Sequence, residues 1–407
     1  MPTLGERIRK LRKQQKMTLE TLAGTELTKG MLSLIENNKA NPSMESLNYI
    51  AEQLNVDVTE LLEEVSSLEL QEVLEKAELL FNKKNDDLAD EYEQLIKLVE
   101  PYVPKLTQGY EAARLLEMYS KCLYHTNKNN WEPLINHAAT MYEQMNLTAK
   151  RGDIGIFRSA RRFIVHDYKG ALSILLAERA ELETNPLWTD PLSRLDYDYL
   201  EATMYFAIGE YDKAIIVMEN AIEYSKKNKT FYRIDDLYRL AAAHAMMNEN
   251  EEKKDNYLQK LNAYSEFADD KESRVFTYFA NIHYLNSYKH LYEEADALFK
   301  TFIEKEQVSK LFSPFFKLEK GKILYGLGQF EEAIEKFEEV VIPEILHHPI
   351  DLSIFYEKDA YVALCYFELN QQEKAIEAAA KAVENINPMP HTPYKGFIQD
   401  TYEKVKI

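Results

Sequence analysis

The 407-residue chain has little of what breaks or staples a fold: 12 glycines, 13 prolines and two cysteines. Glycine and proline both fall below their usual shares of about 7% and 5%, which favours helices throughout. Cys122 and Cys365 lie far apart, each in an apolar helical pattern, so the chain does not read as a disulfide scaffold and suits a reducing, cytoplasmic setting. No stretch approaches the roughly 18 consecutive apolar residues of a membrane span, and no apolar run follows the basic N-terminus as in a secretion signal. An apolar content of 45% is nevertheless ample for buried cores, and the length allows two or more domains.

Charge is unevenly spread. The net charge is −19, yet residues 1–40 hold eight Lys/Arg (Arg7, Arg9, Lys10, Arg12, Lys13, Lys16, Lys29 and Lys39) against Glu6, Glu20, Glu26 and Glu36, which leaves −23 on the remainder. A small basic surface can engage DNA while an acidic body is repelled from it.

The first 64 residues read as five short helices. Leu4, Ile8 and Leu11 recur at helical spacing with the cations of Leu4–Lys16 on the remaining surface. Thr18 caps a second helix with Leu19, Leu22 and Ala23 inward, and Thr28 caps a third containing Leu32 and Ile35. Pro42 stops continuation and Ser43 caps a fourth with Leu47, Ile50, Ala51 and Leu54; Asp57 or Thr59 opens a last one around Leu61 and Leu62. Methyl-sized Ala23 suits the tight crossing of a helix-turn-helix, whose third helix enters the major groove. The outward residues of that helix are Lys29, Gly30, Ser33, Leu34 and Asn37, a mixture suited to guanine edges and thymine methyls. Helix starts near Thr18 and Ser43, with Lys39 and Asn41, are expected to hold phosphate, and Thr28 belongs to the same surface.

Thr18–Ala23, Met31–Glu36 and Asn41–Ser43 resemble the XRE/Cro-type helix-turn-helix, apart from a turn, Gly24–Leu27, one residue shorter than the common form. Asn41–Leu54 is similar to the same region of the RRNPP family of Gram-positive quorum-sensing regulators.

Beyond a linker at 65–72, residues 73–407 carry a repeat. Ala202, Tyr205, Gly209, Tyr211, Ala214, Met218 and Ala221 set an order of small and large residues that recurs from Gly321 to Val340 and from Ala363 to Ala382. The anchors Ala171, Ala214, Ala295, Ala333 and Ala375 define tetratricopeptide-like helix pairs with a period near 40; Ala241–Tyr264 fills the one long gap. Extrapolation back to Trp131 and Ala89 gives about eight pairs, and an all-α fold in which a right-handed superhelix follows the helix-turn-helix. Counting back about 15, 11 and 8 residues from an anchor predicts an inner surface including Tyr199, Thr203, Phe206, Tyr284 and Ser287, with Phe315, Lys322 and Tyr325 from the following pair. Tyr199, Thr203, Tyr284 and Tyr325 offer rings and polar groups to an extended peptide, and Asn281 and Lys322 are expected to hold its backbone and terminal carboxylate.

No catalytic constellation is legible. Gly326-Leu-Gly328 lacks the strand and third glycine of a phosphate loop, and His347-His348 and His166-Asp167 lack further ligands at metal spacing. With no nucleophile motif, neither enzyme activity, metal nor cofactor is expected. The resemblance implies a cytoplasmic regulator that binds double-stranded DNA, in inverted repeats, as a homodimer or higher oligomer, and whose state changes with a short signalling peptide. In family members of this length it also implies a sporulation phosphorelay protein as partner. Two alternatives are a repeat scaffold that docks a folded response regulator and a phage lysis/lysogeny regulator.

Overall fold

A computed structural model of the chain describes residues 3–58, 61, 67–83 and 88–407, which contain helices and loops and no strand. The fold is all-α: a helix-turn-helix precedes a helical-repeat array. The chain divides into two compact units, Met1–Ile154 and Gly155–Ile407.

The first unit opens with α1 (Leu4–Gln14), α2 (Leu19–Ala23), α3 (Lys29–Glu36) and α4 (Met44–Gln53). Every one starts at a hydroxyl cap: the Thr3, Thr18, Thr28 and Ser43 side chains accept from the backbone N–H three residues on. Apolar positions at helical spacing close one core of Ile8, Leu22, Ala23, Leu32, Ile35, Leu47, Ile50, Ala51, Leu54 and Leu61. Gly5 lets α1 approach α3, because a Cβ there would lie 2.0 Å from the Ile35 carbonyl oxygen. Of the expected fifth helix, Leu61 is described and buried, whereas Thr59 and Leu62 lie outside the described residues.

Helix α5 (Ser67–Phe81) occupies six of the eight residues expected as linker. It is followed by α6 (Ala89–Val99), a 3₁₀ turn at Glu100–Lys105, α7 (Tyr110–His125), α8 (Trp131–Gln144) and α9 (Thr148–Ile164), which carries the boundary between units. The second unit continues with α10 (Tyr168–Glu183), α11 (Pro191–Ala207), α12 (Tyr211–Asn228), α13 (Ile234–Met247), α14 (Glu251–Phe267) and α15 (Lys271–Tyr284). After a π-helical segment, Leu285–Lys289, come α16 (Tyr292–Lys305), α17 (Ser313–Gly326), α18 (Phe330–Glu338), α19 (Pro349–Glu368), α20 (Gln372–Ile386) and α21 (Pro393–Val405). Among the described residues the helices form eight pairs, α5/α6 to α19/α20, in line with the expected number, and Ala89 and Trp131 open α6 and α8. All five anchor alanines are completely buried, as close helix packing requires.

Within the second unit, distant segments meet. Tyr168 Oη donates to the His347 carbonyl at 2.8 Å, His348 Nε2 lies 3.1 Å from the Thr203 carbonyl, and Tyr211 Oη donates to the His391 carbonyl at 2.6 Å. His166 and His347, separate in the sequence, come within 6.1 Å ring to ring. Among the described residues no group of three or more His, Cys, Asp or Glu is arranged to hold a metal ion. Cys122 and Cys365 are buried and free, and burial pushes each thiol up to about 12.

A buried ion network ties four helices of this unit together. Lys322 Nζ on α17 donates to Glu357 of α19 at 2.7 Å, to Glu319 at 3.0 Å and to Ser287 at 3.0 Å. Glu319 also meets His283 of α15 at 2.8 Å and accepts from Asn286 at 2.8 Å, while His283 Nε2 lies 3.0 Å from Tyr394 of α21. Burial alone would raise the Glu319 carboxyl; the Lys322 ammonium and His283 hold it below its ordinary value. Lys322→Met would leave buried Glu357 without its cation and strip one of the two cationic partners from Glu319, and is expected to lower unfolding stability by about 3–5 kcal/mol in denaturant titrations. Adding Glu319→Gln and Glu357→Gln should restore most of that loss. Because the folded Glu319 binds its proton more weakly than the unfolded one, its contribution is present above the unfolded value of 4.5 and lost as pH falls below it.

Candidate functional site

The helix-turn-helix presents α3 with Leu32, Ile35 and Glu36 buried and Thr28, Lys29, Gly30, Met31, Leu34 and Asn37 exposed; Ser33 is half-buried. The Asn37 amide donates back to the Ser33 carbonyl at 2.7 Å, and Lys29 Nζ meets Glu20 at 3.2 Å, an exposed pair of little strength. Lys39, Asn41 and Ser43 are exposed in the loop leading into α4, and Thr18 is exposed at the start of α2. Sequence reading passed over Met31, whose 42% exposure adds an apolar group beside Leu34. At Gly30 a Cβ would meet nothing closer than Thr28 Oγ1 at 4.0 Å, so the protein's own packing does not require glycine there.

Two cations expected on the surface of α1 are structural instead. Arg7 donates from Nε and Nη2 to the Leu61 carbonyl at 3.2 and 3.0 Å. Arg12 forms a two-pronged pair with Glu36 of α3 at 2.6 and 2.8 Å, and its third nitrogen reaches the Met17 carbonyl at 2.8 Å. The reason is that a helix crossing buries long side chains on its flank, and the guanidinium fork matches both a carboxylate and stray carbonyls. Arg9, Lys10, Lys13 and Lys16 remain exposed.

In the second unit the first helices of successive pairs line a cavity of about 360 Å³. Tyr199, Thr203 and Phe206 come from α11, Asp236, Arg239, Leu240 and Met247 from α13, Phe276 from α15, and His348, Ile350 and Asp351 from the start of α19. A neighbouring hollow of about 500 Å³, lined by Tyr211, Ile215 and His391, shares the wall residues His244 and Met247. Such volumes are typical of ligand sites, as is an apolar wall with a few polar groups.

Each polar group of the cavity has a definable state. Burial pushes the Tyr199 phenol up to about 12, so it remains a neutral donor. His348 is depressed by burial; its Nε2 faces the Thr203 carbonyl while Nδ1 accepts from the Ile350 N–H at 3.3 Å, which identifies the neutral Nε2–H form. Arg239 is shared by Asp235 at 3.3 Å, Asp270 at 3.4 Å and Ser273 at 2.9 Å, and Asp236 is paired with Arg233 at 2.9 Å. Asp351 has no hydrogen-bond or ion-pair partner among the described residues, and burial raises its carboxyl.

Of the residues expected on the inner surface, Tyr199, Thr203 and Phe206 lie on the cavity wall. Lys322 does not: its side chain is fully buried and its ammonium saturated by Glu319 and Glu357, so it has no donor to offer a peptide carboxylate. Tyr284 is 2% exposed and stacks on Tyr288. Asn281 donates to the Thr277 carbonyl and accepts from Lys254, and Tyr325 packs against Tyr292, Phe330 and Tyr361. The offset reaches the cavity wall from α11 but not from α15, where the π-helical segment lies between Tyr284 and the anchor Ala295 and its wider turn shifts the counted face. Asp236, Arg239, His348 and Asp351 carry no repeat signature and were not legible.

Residues 5–67 match the family described as a helix-turn-helix domain. No curated protein matches the chain. Among solved structures, Bacillus thuringiensis PlcR in complex with the peptide PapR7 and DNA is 17% identical, with 68% of this chain and 98% of that chain covered at a TM-score of 0.35. ComR from S. thermophilus, in complex with DNA and its signalling peptide ComS, is 18% identical over 70% of this chain and 99% of its own, at 0.32. The Streptococcus dysgalactiae SHP pheromone receptor Rgg2 is 16% identical over 68% and 98%, at 0.30. Among the described residues no helix is long and apolar enough to cross a membrane.

Arg12→Ala would strand Glu36 as a buried carboxylate between α1 and α3. The expected loss, about 3–5 kcal/mol of local stability, should appear in the full chain as lost hydrogen-exchange protection at the amides of α1 and α3. Lys13→Ala, at an exposed neighbour, should leave that protection unchanged.

Proposed function

We propose that the chain is a peptide-responsive transcription regulator of the RRNPP type. The observation that carries the DNA half is the helix-turn-helix match over residues 5–67, together with an exposed α3 whose packing face is fully committed to the core. Lys29 and Ser33 read bases on this proposal, Leu34 and Met31 meet thymine methyls, and Asn37 flanks them. Gly30 permits close approach of α3, and its neighbour Thr28 sits at the edge of the groove. Lys39, Asn41, Thr18, Ser43 and the four exposed cations of α1 hold phosphate.

The peptide half rests on the cavity. It and the adjacent hollow that shares its wall offer aromatic walls, neutral donors and carbonyl acceptors, the mixture that an extended peptide's side chains and backbone need. Tyr199 and Thr203 remain in the proposed contact set, joined by Asp236, His348 and Asp351. Peptide binding biases an equilibrium between assembly states, and it can do so only through different affinities for them. A single helix-turn-helix contacts little DNA, so homodimers or higher oligomers on inverted repeats supply the affinity.

Selection of duplexes from a random pool by the full chain tests the DNA reading; recovery of no preferred sequence would refute it. On the selected duplex, Lys39→Ala is expected to weaken binding to all sequences and reduce the salt slope by about one, while Lys29→Ala relaxes preference at one position by about 1–3 kcal/mol. Gly30→Ala should leave thermal unfolding unchanged or raise it, yet weaken DNA binding. Light scattering that finds a monomer both free and on the duplex would overturn the proposed assembly.

A further inference from the structure

Asp351 stands at an unusual place for a carboxylate. It occupies the first turn of α19, beside the neutral His348 and facing a cavity walled by Phe206, Leu240, Met247, Phe276 and Ile350. The positive end of the helix dipole favours its charge, but no cation completes it among the described residues. Arg239, which lines the same cavity, is engaged by Asp235 and Asp270 in addition to lying 3.6 Å from Asp236. Arg233 is likewise divided between Asp196 at 2.7 Å and Asp236 at 2.9 Å. His348 offers no charge, since its Nδ1 is already an acceptor for the Ile350 N–H. The cavity therefore carries, on the half-buried Asp351, one carboxylate without a cationic partner among the described residues, beside apolar walls that strengthen its attraction for a cation.

From this juxtaposition we infer that the cavity selects ligands carrying a cationic group, an ammonium or guanidinium, which seats against Asp351. The inference rests on the peptide reading above and deepens it by naming the chemistry of one ligand position. A lysine or arginine side chain fits: its methylene stem packs on Phe206 and Met247 while its head meets the carboxylate. A peptide's own N-terminal ammonium presents the same chemistry.

The test uses the full chain and two synthetic libraries of random heptapeptides, one with free and one with acetylated N-termini. Peptides retained by the protein through gel filtration are sequenced by mass spectrometry. With a side-chain cation, wild type is expected to retain acetylated peptides enriched about tenfold in Lys or Arg at one position, equivalent to about 1.4 kcal/mol. Enrichment confined to the free library would assign the ammonium to the N-terminus. In either case Asp351→Asn should abolish the preference, and its thermal midpoint at neutral pH should equal or exceed that of wild type, because it removes a half-buried carboxylate that has no cationic partner among the described residues. Retained peptides without cation preference, or a preference that survives Asp351→Asn, would overturn the inference and leave the peptide reading standing. Retention of no peptide by wild type would overturn both. A clear drop in the midpoint of Asp351→Asn would show that the carboxylate already has a native partner and would also overturn it.

Discussion

The second unit is organised around an ammonium group that has no contact with water. Lys322 and Glu319 stand three residues apart on α17, Glu357 reaches in from α19, and His283 and Tyr394 close the network from α15 and α21. Burying such charges is expensive, and the attraction between them offsets that only when geometry and hydrogen bonds are complete. The network therefore acts less as a source of stability than as a constraint on register. A slide of any of the four helices would separate charges inside an aromatic mantle of Phe279, Phe315, Phe355 and Tyr361. Glue of an apolar kind tolerates small slips; this arrangement does not.

The consequence reaches the cavity along one helix. Glu357 and Asp351 are six residues apart on α19, so the contact that fixes Glu357 also fixes the height at which the start of α19 meets the cavity. The hydrogen bond between His348 and the Thr203 carbonyl then joins that start to α11. Phe163 stacks on His348 from behind, and Tyr168 holds the adjacent His347 carbonyl. Asp351 is thus positioned by contacts that do not include its own carboxylate.

The helix-turn-helix solves the same problem on a smaller scale. Arg12 and Glu36 join α1 to α3 through a pair that is almost fully buried, and burial deprives both of any role in binding. Among the residues that the core does not use are Lys29, Gly30, Leu34 and Lys39, with four exposed cations on α1. A composition count cannot separate the two groups. Arg7 and Arg12 look no different from Arg9 and Lys13 until their partners, at Leu61 and Glu36, are in place.

That distinction marks how far the sequence could be read. Helix caps, the helix-turn-helix core and the period of the array follow from local rules, since Thr18, Thr28, Ser43 and the anchor alanines act on their own helix or its immediate partner. The inner face was legible on α11, where helix geometry is regular, and was lost after the π-helical turn at Leu285–Lys289. Lys322 misled for a different reason. A lone cation in an apolar helix can serve a ligand or a buried pair, and the choice depends on Glu357, 35 residues away on another helix. Asp351 is the converse: its sequence context is that of an ordinary first-turn acid, and only the fold reveals that nothing answers its charge. Local rules and long-range pairing thus settle most charges of the second unit but supply no cation, among the described residues, to the carboxylate at the start of α19, and no local pattern announces that.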